Sequence, residues 1–189
     1  MSKPIRVDWV DLRSVPGLRG VAEAGGALGM TFAPGKHDYG LFGIHGRDLD
    51  ADVRTLREDE RVDAFVLLIE DHELPMLRVE RLPEVMAAAG IELIRHAILD
   101  GGVPGDRSAF RAVLDDLLAR LARGQRIAVA CRGGLGRTGT LVGCLLRDGG
   151  LSGREAIDRT RATRRRTIEW AVQEQFVEAW AWAPREALV

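Results

Sequence analysis

The chain of 189 residues is long enough for one sizeable core, and its 46% apolar and 29% charged side chains are ordinary for a globular protein. Its 27 basic residues against 28 acidic ones leave a net charge of −1, which excludes a global basic field for nucleic acid or a membrane surface. Two cysteines are too few for a disulfide framework, so a reducing cytoplasm is the expected compartment.

The N-terminal stretch "MSKPIRVDWVDLRS" lacks a signal-peptide apolar core, and runs such as "FVLLI" are too short to span a bilayer, so no membrane insertion is expected. "IRVDWV" (5–10) alternates apolar and polar residues, as a short strand does. "AGGALGMTFAPGKHDYG" follows as a strand or loop broken by glycine and proline. Asp48 caps a helix that carries Leu49, Val53 and Leu56 on one stripe. The apolar run 62–69 has the length and character of a strand buried on both faces. Pro83 suits the first turn of a short helix ending at Gly90, and "IELIRHAIL" (91–99) reads as the next strand.

Phe110, Val113, Leu114, Leu117, Leu118 and Leu121 keep helical spacing, which predicts a helix over 108–123 closed by Gly124. A strand over 126–130, a glycine-rich loop and a helix to about Arg147 come next. Ser152 and Glu155 form a capping-box pattern, and a last helix is expected over about 169–182. No repeat, low-complexity tract or linker interrupts the chain, so one domain is expected over 1–189, with a catalytic core at about 47–182. Strands alternating with helices predict an α/β domain with a mostly parallel central sheet flanked by helices. In such sheets ligands bind beyond the carboxyl ends of the strands, where the loop lies.

The loop reads "CRGGLGRTG". Between Cys131 and Arg137 stand Arg132, Gly133, Gly134, Leu135 and Gly136. Glycines let successive backbone N–H groups turn inward as a nest for an anion, and the following helix points its positive end there. Arg137 supplies a planar two-pronged grip on phosphate oxygens. The same environment stabilises a thiolate at Cys131, and Thr138 adds a hydroxyl able to donate to it. Anion site and sulfur nucleophile thus share one loop.

Cysteine, five residues, arginine, then serine or threonine resembles the signature of the cysteine-dependent protein tyrosine and dual-specificity phosphatases. "ILDGGVPGD", "CRGGLGRTG" and "EAIDRTR" together are similar to the kinase-associated phosphatase branch, over about Arg47 to Trp180. The resemblance implies the protein-tyrosine-phosphatase-like fold and a metal-independent hydrolysis that needs no cofactor. In it Cys131 forms a cysteinyl-phosphate, Asp100 acts as general acid and then base, and Arg137 and the loop N–H groups hold the phosphate. Asp106 is the reserve acid. The partner implied is a protein carrying phosphotyrosine, and phosphoserine or phosphothreonine if the cleft is shallow. No nucleic-acid partner is expected, and a monomer is favoured. Ala130 replaces the histidine usual before the cysteine, Ala97 replaces a usual proline, and "RRRTIEW" replaces the usual proline-glycine and "AIET"; Gln173 matches a family glutamine.

Two other functions stay open: a pseudophosphatase that binds phosphate without turnover, and a phosphoinositide phosphatase, against which Leu135 stands where a second basic loop residue is common. Sulfurtransfer or arsenate reduction, with Cys144 as second thiol, fits less well, because neither needs an acid at Asp100. Cys144 reads as core, His96 as a structural histidine, and Glu70, Asp71, His72 and Glu73 as a solvated turn. The basic cluster Arg159, Arg161, Arg164, Arg165 and Arg166 reads either as a solvated face or as an attractor for an acidic partner.

Overall fold

Five strands form one sheet in the order β1-β2-β7-β5-β6, described here from a computed structural model that covers residues 3–40 and 43–180. The strands are β1 Asp8–Trp9, β2 Ala27–Phe32, β5 Ala64–Leu67, β6 Glu92–Arg95 and β7 Arg126–Cys131. β2, β7, β5 and β6 run parallel, and β1 pairs antiparallel with the edge of β2. A separate hairpin joins β3 His37–Gly40 to β4 Gly43–Gly46. The helices are α1 Arg19–Glu23, α2 Leu49–Glu58, α3 Glu73–Met76, α4 Leu82–Ala88, α5 Arg107–Ala122, α6 Gly136–Asp148, α7 Gly153–Thr163 and α8 Ala171–Glu178. This is the expected α/β architecture with a mostly parallel sheet.

All four residues of β5 are buried, as its unbroken apolar run requires of a strand covered on both faces. β7 lies at the centre, with Cys131 opposite Phe32 of β2 and Ala130 opposite Leu67 of β5. The carboxyl end of β7 therefore opens between two parallel neighbours, the crevice where such sheets bind ligands. Buried Phe110, Leu114, Leu117 and Leu121 form the inner stripe of α5. Ser152 Oγ accepts from Glu155 N while Glu155 Oε2 accepts from Ser152 N, a complete capping box at the start of α7.

Several expectations shorten or shift. Of 5–10 only Asp8–Trp9 is strand, because ahead of it side chains take the backbone groups: Val7 N donates to Glu60 Oε1 and Arg6 O accepts from Thr31 Oγ1. The strands expected over 62–69 and 91–99 pair over Ala64–Leu67 and Glu92–Arg95. The last helix is α8; positions 181–182 of the expected span lie outside the described residues. The supposed solvated turn at 70–73 ends in α3, and Glu73 itself is buried. Asp106 caps α5 by accepting from Ser108 N and Ala109 N, which occupies the reserve acid in a helix terminus.

Helix α6 is buried along most of its length and carries the loop's C-terminal end into the core. At Gly139 a Cβ would stand 2.8 Å from Ile168 N, so only glycine lets residues 167–168 lie directly on α6. That close approach brings Glu169 and Gln173 to the mouth of the loop.

Candidate active site

β7 ends at Cys131, which is 4% exposed, and the chain turns through residues 132–135 into α6. Gly134 makes the turn possible twice over. Its φ is +69°, and a Cβ there would lie 2.0 Å from Thr31 O of the neighbouring strand. The loop walls a cavity of about 290 Å³ lined by Asp100, Gly101, Cys131, Arg132, Gly133, Gly136, Arg137, Glu169 and Gln173. Of the residues expected from the sequence, Cys131, Arg132, Gly133, Gly136, Arg137 and Asp100 thus converge on one space. Gly134 and Leu135 form its outer turn: Leu135 O accepts from Gly139 N at 2.9 Å and from Ile168 N at 3.3 Å. Thr138 sits one residue past Arg137 in the first turn of α6, fully buried and outside the lining, its Oγ1 without a hydrogen-bond partner among the described residues.

Arg137 is 1% exposed and held from behind. Its Nη1 donates to Glu73 Oε2 at 2.6 Å and to Ile98 O at 3.0 Å, and its Nη2 donates to Glu73 Oε1 at 3.0 Å. This two-pronged pair fixes the guanidinium plane. The remaining donor, Nε, is buried without a partner among the described residues. A donor so placed can serve a ligand oxygen or a water molecule. Burial would lower the Arg137 pKa, but hydrogen bonding to Glu73 and the negative charges of Cys131, Glu73 and Asp100 hold it above its usual value. Burial likewise pushes the Glu73 carboxyl up, yet the hydrogen bonds from Arg137 and the Glu70 N–H, with the Arg137 charge, keep it below its ordinary value.

Asp100 stands across the cavity with its carboxylate 2.9 Å from Arg137 Nη2 and is 64% exposed. It belongs to the glycine-bearing turn after β6, and α8 holds that turn. Gln173 Nε2 donates to Gly102 O at 3.1 Å, while Gln173 Oε1 accepts from Glu169 N and Trp170 N. The indole of Trp170 lies against Gly101. Gln173, fully buried, therefore ties the Asp100 turn to the far wall.

Glu169 went unassigned by sequence reasoning. Its Oε2 accepts from Gly136 N at 2.9 Å, so a carboxylate already occupies one of the loop's N–H donors. The sequence signal was its place in "TIEW", four residues before Gln173. Glu73 gave a weaker signal, an acid in a turn beside other acids.

The basic cluster is largely spent inside the molecule. Arg159 contacts Ser14 and lies 3.9 Å from Asp11, and Arg161 pairs with Glu174 and donates to Thr167 O and Ile168 O. Arg164 donates to loop carbonyls. Only Arg165 and Arg166 of the five are exposed, so neither the solvated face nor the attractor is formed by the cluster as a whole. Cys144 is fully buried, its thiol pushed well up by burial, and His96 packs 5.5 Å from the Phe110 ring, lowered by burial.

Residues 46–150 match the family model described as "Polymorphic toxin system, DSP-PTPase phosphatase". Cyclin-dependent kinase inhibitor 3 of Rattus norvegicus is 29% identical over 163 residues, covering 85% of this chain and 71% of its own. The solved structure of kinase-associated phosphatase with its catalytic-site cysteine replaced by serine superposes with a TM-score of 0.79 at 23% identity, over 94% of each chain. Tk-PTP in its active form gives 0.63 at 27% identity, over 81% of this chain and 90% of that one.

Proposed function

This chain belongs to the DSP-PTPase phosphatase family, and from that premise we propose that it hydrolyses phosphomonoesters of proteins, phosphotyrosine foremost, through a cysteinyl-phosphate. The observation that carries the proposal is the convergence of Cys131, Arg137 and Asp100 on one cavity, with Arg137 Nε unpartnered among the described residues. A phosphoryl oxygen is the natural acceptor for that donor.

In the proposed reaction the Cys131 thiolate attacks phosphorus and the bond to the ester oxygen breaks. Asp100 delivers the proton that this oxygen takes. Water then attacks the cysteinyl-phosphate, giving its proton back to Asp100 and releasing inorganic phosphate and the thiolate. Arg137 and the loop N–H groups, once Glu169 yields that of Gly136, hold the equatorial oxygens in both steps. Asp100 and the incoming phosphate compete for Arg137 Nη2, so substrate binding frees the carboxyl to turn toward the leaving group. Leu99, 66% exposed, and Trp170, 59% exposed, flank the turn that bears Asp100 and offer apolar surface to an aryl leaving group.

The test is hydrolysis of p-nitrophenyl phosphate in excess EDTA, across roughly pH 4.5 to 8, by wild type and Cys131→Ser. Metal-independent turnover that disappears in the variant is the expected result. Reduced wild type with no turnover at any pH overturns the reading.

A further inference from the structure

The loop is braced from outside by one arginine of the basic cluster. Arg164 caps the C-terminus of α7 and reaches the convex side of the loop, where its Nε donates to Gly134 O at 2.8 Å and its Nη2 to Gly133 O at 3.2 Å. Its Nη1 donates to Asp8 Oδ2 at 2.7 Å. The pair is mostly buried, the two side chains being 17% and 11% exposed. Asp8 is itself fixed in β1 opposite Met30, and its other oxygen takes Arg6 Nε at 2.9 Å. Ala130, the residue entering the loop, is buried and has no polar group to brace it.

We infer that Arg164 is a positioning residue of the phosphate site, holding the Gly133 and Gly134 carbonyls outward so that the nest is set before an anion arrives, with Asp8 fixing Arg164. The reason is the geometry of the trans peptide. The N–H of each unit points opposite to its C=O, so turning the carbonyls of residues 133 and 134 out turns the N–H groups of Gly134 and Leu135 in. Glycine-rich backbone would otherwise lose much conformational freedom on binding an anion. A planar fork that reaches two carbonyls and a carboxylate at once removes that cost in the folded protein. Arg164 touches neither substrate nor reacting atoms; it acts through the loop. The inference rests on this loop being the phosphate site.

Arg164→Lys and Asp8→Asn test it, with wild type alongside. Lysine keeps the charge and the stem but cannot bridge two carbonyls and a carboxylate. Binding of inorganic phosphate is measured by calorimetry, alkylation of Cys131 by iodoacetate at fixed pH by mass spectrometry, and folding by thermal melting. In Arg164→Lys the phosphate Kd is expected to rise by roughly ten- to a hundredfold, the loss of charge-assisted hydrogen bonds to the loop. Alkylation by the anionic reagent slows with it, and Asp8→Asn moves both readouts the same way by less. Wild-type phosphate affinity and alkylation in a folded Arg164→Lys overturn the inference. If that variant does not fold, Asp8→Asn alone decides it by the same readouts. Should wild type bind phosphate but fail to turn over, the hydrolase reading falls while the brace is still judged on binding and alkylation.

Discussion

Glu73 Oε2 lies 2.6 Å from Arg137 Nη1, joining a short helix after β5 to the first turn of α6 across 64 residues of chain. The pair turns a flexible side chain into a fixed plane with one donor, Nε, left over among the described residues. The Arg137 site is therefore prepared by a carboxylate on its far side.

Removing that carboxylate should cost both function and stability. Glu73→Gln keeps the volume but loses the charge, and kcat/KM for p-nitrophenyl phosphate is expected to fall by about tenfold or more as the guanidinium loosens. Glu73→Ala, which leaves a buried arginine without its partner, should destabilise by about 3–5 kcal/mol in urea unfolding at pH 7. The sign with pH follows from the Glu73 carboxyl lying below its ordinary value when folded. Its contribution is full above the unfolded value and is lost as pH falls through the lowered folded value. The gap between wild type and Glu73→Gln should thus be widest at neutral pH and close in acid. A gap independent of pH would refute the assignment.

Asp100 should show itself through the leaving group. Asp100→Asn is expected to lower kcat by about 10²–10⁴-fold for phosphotyrosine, whose phenolate needs a proton, and by less for p-nitrophenyl phosphate, whose leaving group does not. Equal losses on both esters would mean that Asp100 only positions Arg137, with which it pairs at 2.9 Å.

In the proposed reaction Glu169 competes with phosphate for the loop. Its carboxylate takes the Gly136 N–H that an anion in the nest would use. Glu169→Gln should therefore tighten inorganic phosphate binding by about three- to tenfold, since one charge repulsion at close range is removed. Weaker binding in the variant, read by calorimetry, would show that Glu169 instead shapes the loop.

The two central glycines of the loop should respond differently to alanine. At Gly134 a Cβ meets Thr31 O at 2.0 Å with φ at +69°, and Gly134→Ala should lose phosphate binding and at least about 1–3 kcal/mol of stability. At Gly133 no atom of the described residues beyond its chain neighbours lies within 4 Å of the added carbon, and Gly133→Ala should stay within about 0.5 kcal/mol of wild type. Melting and calorimetry on both variants decide the matter.

Much of this protein is written locally. The strand before Cys131, the glycine turn and the helix after Arg137 follow from residue types at short spacing, because period and glycine content act over a few residues. The same local logic marks the α5 stripe, the capping box of α7 and the position of Asp100 after a strand. The resemblance across 47–180 rests on these segments, and the matching family model and the fold agree with it. Charged side chains are a different matter. Nothing near Glu73 in sequence separates it from Glu70 or Asp71, yet Glu73 alone of the three is buried against Arg137. Arg164 looks like Arg165 and Arg166 until Asp8, 156 residues away, meets it beneath the loop. Whether a charge is solvated, paired or turned to a carbonyl depends on what the folded chain sets beside it, and that is decided only when distant segments pack.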